Sequence, residues 1–399
     1  MKYCNLFIIS LIIVSISILP AYSQKSDLKD ILNESLNFSA KQYAMLGAEM
    51  LKRPDSLPRT ISMAGKLIVV DSRWWTSGFF PGSLWYLYEF TKDPELKALA
   101  QAMTNRVERE KLTTNNHDVG FMINCSFGNG LRLTNQNSYY DVIITAAKSL
   151  STRFNPKIGL IKSWNQFKSF KYPVIIDNMM NLELLMRAFK FTGDSMFYHI
   201  AVSHADNTII NHFRPDHSSF HVVCFDTLSG RPLAKLTAQG AADESAWARG
   251  QAWGLYGFTM MYRETKIDSY LNQARLIADF MINHPNMPED KIPYWDFNAP
   301  DIPQAKRDAS AGAIMASALL ELQQYVDKKT GKKYLKIAGK QLKSLSSPAY
   351  RAQPGQNGNF ILMHSVGSIP GKSEVDVPLT YADYYFIEAL MRYRRILGR

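Results

Sequence analysis

The sequence predicts an all-α fold, a toroid of six helical hairpins, because one helical pattern recurs along the chain and few stretches have strand character. An aromatic residue or leucine is followed four positions later by alanine in Leu96/Ala100, Phe197/Ala201, Tyr270/Ala274 and Tyr334/Ala338. Each pair opens an amphipathic helical pattern. A capping turn precedes three of these helices, and residues 329–331 form a looser fourth turn. A more apolar helix precedes each turn, so the recurrence indicates stacked hairpins.

Outer and inner helices alternate in this reading. We expect outer helices near 28–50, 94–110, 138–151, 195–212, 268–284 and 332–346. We expect inner helices to start near residues 79, 118, 177, 246, 309 and 381. Six such hairpins close into an α/α toroid, and an open solenoid is the competing shape. Gly250, Gly254 and Gly257 share one inner stripe, and because a mid-helix glycine costs about 1 kcal/mol relative to alanine, they indicate close backbone approach.

One stretch has a clear strand pattern. Residues 219–226 and 231–237 flank a turn at 227–230, which predicts a small β-hairpin inserted between an outer helix and the next inner helix. Loops at such positions frequently hold binding residues. The hairpin is therefore a second source of candidate site residues.

Composition and the first residues limit the class of protein. With 46% hydrophobic and 20% charged residues, the chain is neither disordered nor a coiled coil. Lys2, the apolar run at 6–19 and the cleavage pattern at 21–23 predict a signal peptide over 1–23, with an uncleaved anchor as the alternative. We expect residues 24–399 to form a single domain, periplasmic or secreted, with no membrane contact after cleavage.

The charge and the cysteines exclude several functions. The formal charge of +11 indicates either attraction of polyanions or a basic surface with no functional role. We expect no nucleic-acid partner. Cys125 and Cys224 are expected to be buried free thiols. The sequence lacks C-x-x-C and H-E-x-x-H spacing, a G-x-S-x-G elbow and a phosphate loop. A zinc site, a serine triad and nucleotide chemistry are therefore disfavoured.

Polar residues gather at the predicted starts of the inner helices. They are Trp74, Trp75, Ser77, His117, Asp118, Asp177, Asn178, Trp247, Arg249 and Asp308. Because inner helices run parallel, these positions share one rim of the toroid. Asp, Ser and Asn at helix starts are ordinarily caps, and we assign Asp308 mainly to capping.

Asp118 and Asp177 are predicted on neighbouring inner helices, facing the same space. Two nearby carboxylates repel, so one pKa rises into the range that a general acid needs. The helix dipole acts in the opposite direction. Capping alone remains an equal alternative for Asp177.

Arg249 and Trp253 lie four residues apart and share a helix face. A guanidinium beside an indole suits a carboxylated ring, and the alternative is an arginine paired with an acidic neighbour. His221, at a strand start, is by itself more typical of a structural histidine. Residues 294–297 are either a sugar platform or a packed lid, and we favour the lid.

Four motifs carry a family resemblance. They are His-Asp-Val-Gly-Phe at 117–121, Asp-Asn-Met-Met-Asn at 177–181, the segment 237–240 with Gln239, and Trp-Ala-Arg-Gly-Gln-Ala-Trp-Gly at 247–254. Together they resemble the unsaturated glucuronyl hydrolases, glycoside hydrolase family 88. The likeness runs over nearly the whole mature chain, and the tryptophan-arginine block is its most specific part.

The resemblance implies an (α/α)6 barrel, no cofactor and no metal, with removal of the 4,5-unsaturated uronic acid that polysaccharide lyases leave at a non-reducing end. It implies Asp177 as general acid/base and Asp118 as its partner. The substrate contacts that it implies are His117, His221, Gln239, Trp247, Arg249 and Trp253. The segment 365–374 does not align, which leaves sulfation preference open.

Three other functions stay open at this point. An unsaturated rhamnogalacturonyl hydrolase would share the barrel and act on pectin fragments. A sugar epimerase would favour paired histidines, of which only His117 and His221 are available. A non-catalytic glycan-binding toroid would use the aspartates to orient hydroxyls. The basic charge favours glycosaminoglycan fragments slightly, and the sequence leaves the oligomeric state open.

Overall fold

The computed structural model of the chain describes residues 19–398, with side chains from residue 28. The α-helices are α1 Leu19–Leu51, α2 Phe79–Thr91, α3 Pro94–Val107, α4 Val119–Ile123, α5 Asn129–Thr134, α6 Asn137–Ser151, α7 Leu182–Thr192, α8 Ser195–His212, α9 Ala248–Thr265, α10 Asp268–Asn283, α11 Ala309–Leu322, α12 Lys328–Leu345 and α13 Thr380–Leu397. Shorter helical segments are the 3₁₀ helices Glu108–Leu112, Ile176–Asn181 and Asn357–Asn359 and the π-helix Asn124–Gly128. The predicted signal peptide falls mainly on residues 1–18, outside the described residues.

The inner helices close into a ring. In order they are α2, the α4–π–α5 segment, the 3₁₀ helix Ile176–Asn181 with α7, then α9, α11 and α13, and α13 packs back against α2. Outer helices α1, α3, α6, α8, α10 and α12 alternate with them along the chain. The predicted closed toroid is confirmed, and the open solenoid is wrong.

Two local predictions need correction. The looser turn expected at 329–331 lies inside the first turn of α12, because Asp327 caps that helix by accepting from the backbone N–H groups of Lys329 and Thr330. The second inner helix starts at Val119, close to the expected residue 118, but it is not a regular α-helix throughout because it contains the π-helical turn Asn124–Gly128.

Short strands decorate the ring. They are β1 Leu57–Ile61, β2 Leu67–Val70, β3 Phe154–Asn155, β4 Leu160–Ile161, β5 Pro173–Ile175, β6 Val222–Phe225, β7 Pro232–Leu236, β8 Ser365–Ser368 and β9 Ser373–Val377. The predicted hairpin is confirmed as antiparallel β6–β7, and β5 adds a third strand that the sequence pattern does not reveal. Because β5 runs directly into the 3₁₀ helix that contains Asp177, this sheet brings that helix beside His221.

The glycine stripe on α9 allows close contact with that 3₁₀ helix. A Cβ at Gly250 would lie 3.2 Å from Ile176 Cγ2, and one at Gly257 would lie 2.5 Å from Met179 Cβ. The predicted close approach is therefore confirmed, and it fixes Asp177 against the helix that carries Arg249 and Trp253.

The cysteines and the longer helices complete the description. Cys125 and Cys224 are both buried and free, as expected. Within residues 19–398, the helices fall short of the length and apolar composition that a membrane span requires.

Candidate active site

Asp118 and Asp177 lie at the starts of two neighbouring inner helices, and neither carboxylate caps a helix. Asp118 is the residue before α4 but makes no capping hydrogen bond, and Asp177 lies inside its 3₁₀ helix. Asp177 is only 8% exposed, and its Oδ2 is buried with no hydrogen-bond partner. The capping interpretation of Asp177 is therefore wrong. We refer to these two residues as the acid pair.

Burial raises the pKa of both members of the acid pair. The pKa of Asp118 rises to about 8 because the group is buried and because the charge of Asp177 repels a second charge. The pKa of Asp177 rises to about 7 through burial, against the opposing effects of the Arg249 charge, its own backbone N–H and the Trp253 indole. Since the two groups interact, the protons belong to the pair, and the pair retains a proton near neutral pH.

His221 faces Asp177 as a neutral ring with a defined tautomer. Its Nδ1 accepts from the backbone N–H groups of Ala238 and Gln239 at 3.1 and 3.2 Å, so the ring hydrogen is on Nε2. Nε2 lies 3.9 Å from Asp177 Oδ2, and burial lowers the pKa of His221 to about 3. The ring also stacks on Trp247, with centroids 4.3 Å apart. His221 is therefore part of the site and presents a donor toward Asp177.

His117 repeats this arrangement beside Asp118. The Asn181 side-chain oxygen accepts from Phe121 N, which leaves the amide NH₂ facing His117 Nδ1 at 3.4 Å. The ring hydrogen is then on Nε2, which lies 3.5 Å from Asp118 Oδ1. Burial lowers the pKa of His117 to about 3, so this ring is neutral too.

Arg249 is in the site, but its geometry corrects the predicted carboxylate fork. Its Nη1 donates to Asp308 Oδ2 at 3.2 Å and to the Val366 carbonyl, and its Nη2 donates to Gln239 Oε1 at 3.1 Å and to the Gly367 carbonyl at 2.8 Å. The terminal N–H groups are thus used by the protein itself, and only Nε is unpartnered. Arg249 fastens β8 and Gln239 to α9, and it offers a substrate its positive charge and one N–H.

Asp308 has two functions in this arrangement. Its Oδ1 caps α11 by accepting from Ser310 N at 3.0 Å, as predicted. Its Oδ2 pairs with Arg249, which is 1% exposed. The structure therefore shows the alternative given above for Arg249, an arginine paired with an acidic neighbour.

Aromatic rings line the same rim. The Trp253 indole is buried against Phe121 and Tyr385. Its N–H is too far from Asp177 for a normal hydrogen bond, but it is close enough to lower the pKa of that carboxyl. The Trp247 ring lies 4.4 Å from the Arg249 guanidinium. Residues 294–297 are buried, with Asp296 accepting from Ala241 N and Ser245 Oγ, so the packed-lid prediction is confirmed.

The structure therefore gathers all eight predicted site residues in one cluster, and it adds others that sequence reasoning missed. Tyr381 lies 5.4 Å from the Arg249 guanidinium, and its buried hydroxyl is unpartnered. The β8–β9 hairpin supplies the carbonyls that hold Arg249. Trp74, already predicted at this rim from the sequence, has the Arg59 guanidinium 3.9 Å above its ring. A tyrosine within an aromatic-rich helix and a short polar strand carry no signal that distinguishes them from packing residues.

Comparison with known proteins gives consistent results. Residues 47–388 match the model of Glycosyl Hydrolase Family 88. The chain is 47% identical to an unsaturated glucuronyl hydrolase from Formosa agariphila, over 94% of each protein. It is 34% identical to an unsaturated chondroitin disaccharide hydrolase from Streptococcus agalactiae, over 82% of each. A crystal structure of an unsaturated glucuronyl hydrolase specific for heparin superposes with a TM-score of 0.90 at 46% identity, covering 93% of this chain and 98% of that one.

These similarities confirm the prediction of an enzyme, a glycosidase with an (α/α)6 barrel that hydrolyses unsaturated uronic acid linkages. The match extends over the motifs that contain both aspartates and the tryptophan-arginine block. The chain belongs to glycosyl hydrolase family 88.

Proposed function

We propose that the protein removes the 4,5-unsaturated uronic acid from the non-reducing end of lyase-generated glycosaminoglycan fragments, and that the acid pair performs the proton transfers. The observation that carries the proposal is the buried, unpartnered oxygen of Asp177, on a carboxyl group whose pKa is raised to about 7. A buried carboxyl that keeps its proton near neutral pH is what a general acid requires.

The chemistry begins at the enol ether. Asp177 donates its proton to C4, and the C4=C5 electron pair forms the new C–H bond, which leaves an oxocarbenium ion shared by C5 and the ring oxygen. Water then adds to C5 and gives up a proton to the Asp177 carboxylate, which restores the acid. General acid/base catalysis of this kind typically contributes about 10² to 10⁴ in rate.

The hemiketal then releases the neighbouring sugar. Its C5–O bond to the ring oxygen breaks to give a ketone at C5, and the resulting hemiacetal at C1 expels the neighbouring sugar as an alcohol while C1 becomes an aldehyde. The anomeric carbon is not attacked, so the rule that relates carboxylate separation to stereochemical outcome does not apply. Asp118 is not needed as a nucleophile, and in this scheme it shares the proton of the pair and holds hydroxyls.

The surrounding residues suit an acidic sugar ring. The buried positive charge of Arg249 lies near Asp177, and the buried Trp247 and Trp253 rings pack around these groups. The Nε2–H groups of His117 and His221 are donors to ring hydroxyls or to the ring carboxylate. The positive charge and these donors together favour an unsaturated uronate over a neutral sugar.

The substrate class and the location extend this proposal. Of the relatives named above, one is an unsaturated chondroitin disaccharide hydrolase and another is specific for heparin, and the strongly basic chain is compatible with such anionic fragments. The apolar run after Lys2 supports export to the periplasm or the medium.

A panel of lyase digests tests the proposed function. Heparin, chondroitin, hyaluronan, ulvan and pectin lyase products are each incubated with the full chain, and loss of the ultraviolet absorbance of the double bond is followed. We expect bleaching of at least one glycosaminoglycan digest with release of its saturated partner sugar. Bleaching of the pectin digest alone would establish the rhamnogalacturonyl activity instead, and no bleaching of any digest would refute the hydrolase assignment.

A further inference from the structure

A buried arginine outside the predicted site contacts the loops that carry both catalytic aspartates. Arg153 follows α6 and is 6% exposed. Its Nε donates to the Lys162 carbonyl at 2.7 Å, its Nη1 to the Thr114 carbonyl at 2.6 Å and its Nη2 to the Ser163 carbonyl at 3.3 Å. A further bond joins Nη1 to Asn165 Oδ1 at 3.2 Å. Among the described residues, this guanidinium donates to neutral oxygens, three backbone carbonyls and one side-chain amide, which is unusual for a buried charge.

These contacts connect Arg153 to the acid pair through Ser163. The Ser163 carbonyl that accepts from Arg153 also accepts from His117 N at 3.2 Å, directly before Asp118. The Ser163 hydroxyl accepts from Ile175 N at 2.9 Å, two residues before Asp177. The segment at Lys162 and Ser163 thus contacts both catalytic loops, and Arg153 stabilises that segment by donating to its carbonyl groups.

The charge of Arg153 acts on the same group. Three titratable groups face Asp118: His117 from its own loop, Asp177 from the 3₁₀ helix and Arg153 from the loop after α6. His117 is neutral, so Arg153 is the cation of this set, and it lowers the pKa of Asp118 against the effects of burial and Asp177. Lys162 lies beside Arg153, and its own pKa is lowered by burial and by that neighbouring charge.

We propose that Arg153 is a positioning residue of the acid pair, which fastens the His117–Asp118 loop to the segment before Asp177 and supplies the positive charge that faces Asp118. The proposal rests on the proposed function, because it concerns the catalytic protons of that reaction. It explains why an arginine is buried where no carboxylate contacts it. The Coulomb attraction to Asp118 and the fork of carbonyl bonds compensate for its desolvation.

Two variants separate the effect of the positive charge from the effect of the fork, the set of hydrogen bonds that the guanidinium donates to three carbonyls. Arg153→Gln removes the charge, and Arg153→Lys keeps the charge but loses the fork. For Arg153→Gln we expect kcat to fall by about tenfold to a hundredfold with KM changed much less, because misplaced catalytic groups are costly. Since a cation stabilises every ionised form of the pair, both limbs of the pH profile should move to higher pH, by about 0.3 unit or more. Arg153→Lys should lower kcat while leaving the limbs in place.

Arg106→Gln is the matched control. Arg106 also donates from its guanidinium to two backbone carbonyls, those of Arg53 and Ser56, and neither of these residues belongs to the site. A melting temperature lowered to a similar extent with an unchanged pH profile is expected for this variant.

The assay uses the full chain and the unsaturated disaccharide that the wild-type enzyme bleaches. If the wild-type enzyme bleaches its substrate and Arg153→Gln keeps wild-type kcat and pH limbs, or changes only as the control does, the positioning role is refuted while the proposed function stands. If Arg153→Gln does not fold, Arg153→Lys decides the matter, and a wild-type kcat for that variant would overturn the proposal. A wild-type enzyme that bleaches nothing refutes the proposed function itself.

Discussion

The two ends of the helical ring differ in whether their buried polar and charged groups have partners. Away from the rim lies a set of paired groups that we call the basal network: Glu183, Arg263, Glu321, Glu388 and Arg392. Within it, Glu388 accepts from the hydroxyls of Tyr86 and Tyr256 at 2.8 and 3.1 Å and from Ser317 Oγ. Arg392 lies 2.9 Å from Glu321 and 3.4 Å from Glu388.

At the rim where the inner helices begin, buried polar atoms lack such partners. They are Trp74 Nε1, His117 Nε2, Asp177 Oδ2, His221 Nε2, Arg249 Nε, Trp253 Nε1 and the Tyr381 hydroxyl. Among the described residues, no protein group satisfies these atoms, so they remain available to a bound substrate. The comparison indicates that the basal network serves the fold, whereas the rim combines one satisfied ion pair, Arg249–Asp308, with unpartnered groups that are available for chemistry.

Replacing Asp177 should have the largest effect on catalysis. For Asp177→Asn we expect bleaching to fall by about 10² to 10⁴, because the amide cannot donate a proton to C4, while disaccharide binding and circular dichroism are retained. The control is Asp383→Asn. The pKa of Asp383 is likewise raised to about 7 by burial, but its carboxylate is satisfied by Ile361 N, Leu362 N and the Tyr43 hydroxyl. That variant should lose stability and keep the turnover of its folded fraction, and the reverse pattern would contradict the distinction between the two groups.

The pH profile should report the shared proton of the acid pair. With pKa values of about 7 and about 8 for Asp177 and Asp118, the pair carries one proton between those values. We expect a bell-shaped dependence of kcat/KM on pH, falling on the alkaline side as that proton is lost and on the acid side as both groups become protonated. Initial rates measured from pH 5 to 10 check this, and a flat profile across neutrality would count against a carboxyl donor.

Arg249→Lys should have an intermediate effect. A lysine keeps the charge but cannot reach Asp308, Gln239 and the two β8 carbonyls together. We expect KM to rise by about tenfold and kcat to change less, because β8 and Gln239 lose their anchor. Steady-state kinetics on one disaccharide tests this, with Asp308→Asn as a variant that weakens the same anchor from the other side. An unchanged KM for both variants would remove Arg249 from substrate binding.

The stability of the acid-pair variants should depend on pH. Both pKa values are raised above the usual 3.8, so protonated carboxyls favour the fold at low pH and this contribution is lost as pH rises through about 7 and 8. Asp118→Asn and Asp177→Asn should therefore unfold at higher temperature than the wild-type protein at pH 9 and at similar temperature at pH 4. At about 1.4 kcal/mol per pKa unit, rises of about 3 and about 4 in the two pKa values set an upper limit of about 4–6 kcal/mol on the gain. Thermal melts that show a gain at pH 4 only would reverse the sign that we infer.

The basal network should matter least to catalysis. Glu388→Gln leaves Arg392 with a weakened partner, and breaking a buried pair typically costs about 3–5 kcal/mol. We expect a large fall in the free energy of unfolding in urea, with kcat/KM of the folded enzyme within about twofold of wild type. A selective loss of kcat/KM without loss of stability would show that the two ends are not separable.

The ring of helices could be predicted from the sequence because the signals that mark helix starts involve residues close together in the chain. The capping turns before α3 and α8, with Asp93 and Asp194 accepting from Glu95 N and Met196 N, are made within three residues. The helical pattern then fixes which residues begin an inner helix, and this placed Asp118 and Asp177 at one rim. The β6–β7 hairpin was readable for the same reason, since its strands are joined by a short turn.

The features that could not be predicted from the sequence depend on contacts between residues far apart in the chain. The partners of Arg249 lie at Asp308 and on β8 near residue 366, so no local spacing reveals that its fork is already used. Strand β5 has three residues and exists through its pairing with β6. Arg153 resembles any surface arginine in the sequence, and only the folded chain shows that it is buried against Thr114 and Ser163.

Proton delivery to C4 by Asp177 is the central claim, and the isotopic course of the reaction tests it most directly. The full chain is incubated with its unsaturated disaccharide in D₂O, and the released keto-uronate is trapped at once with borohydride and analysed by NMR. An enzyme-held donor on one face of the ring predicts a single deuterium at C4 in one configuration. Equal amounts of both C4 configurations would mean that C4 is protonated by solvent after release, and would contradict the role given to Asp177.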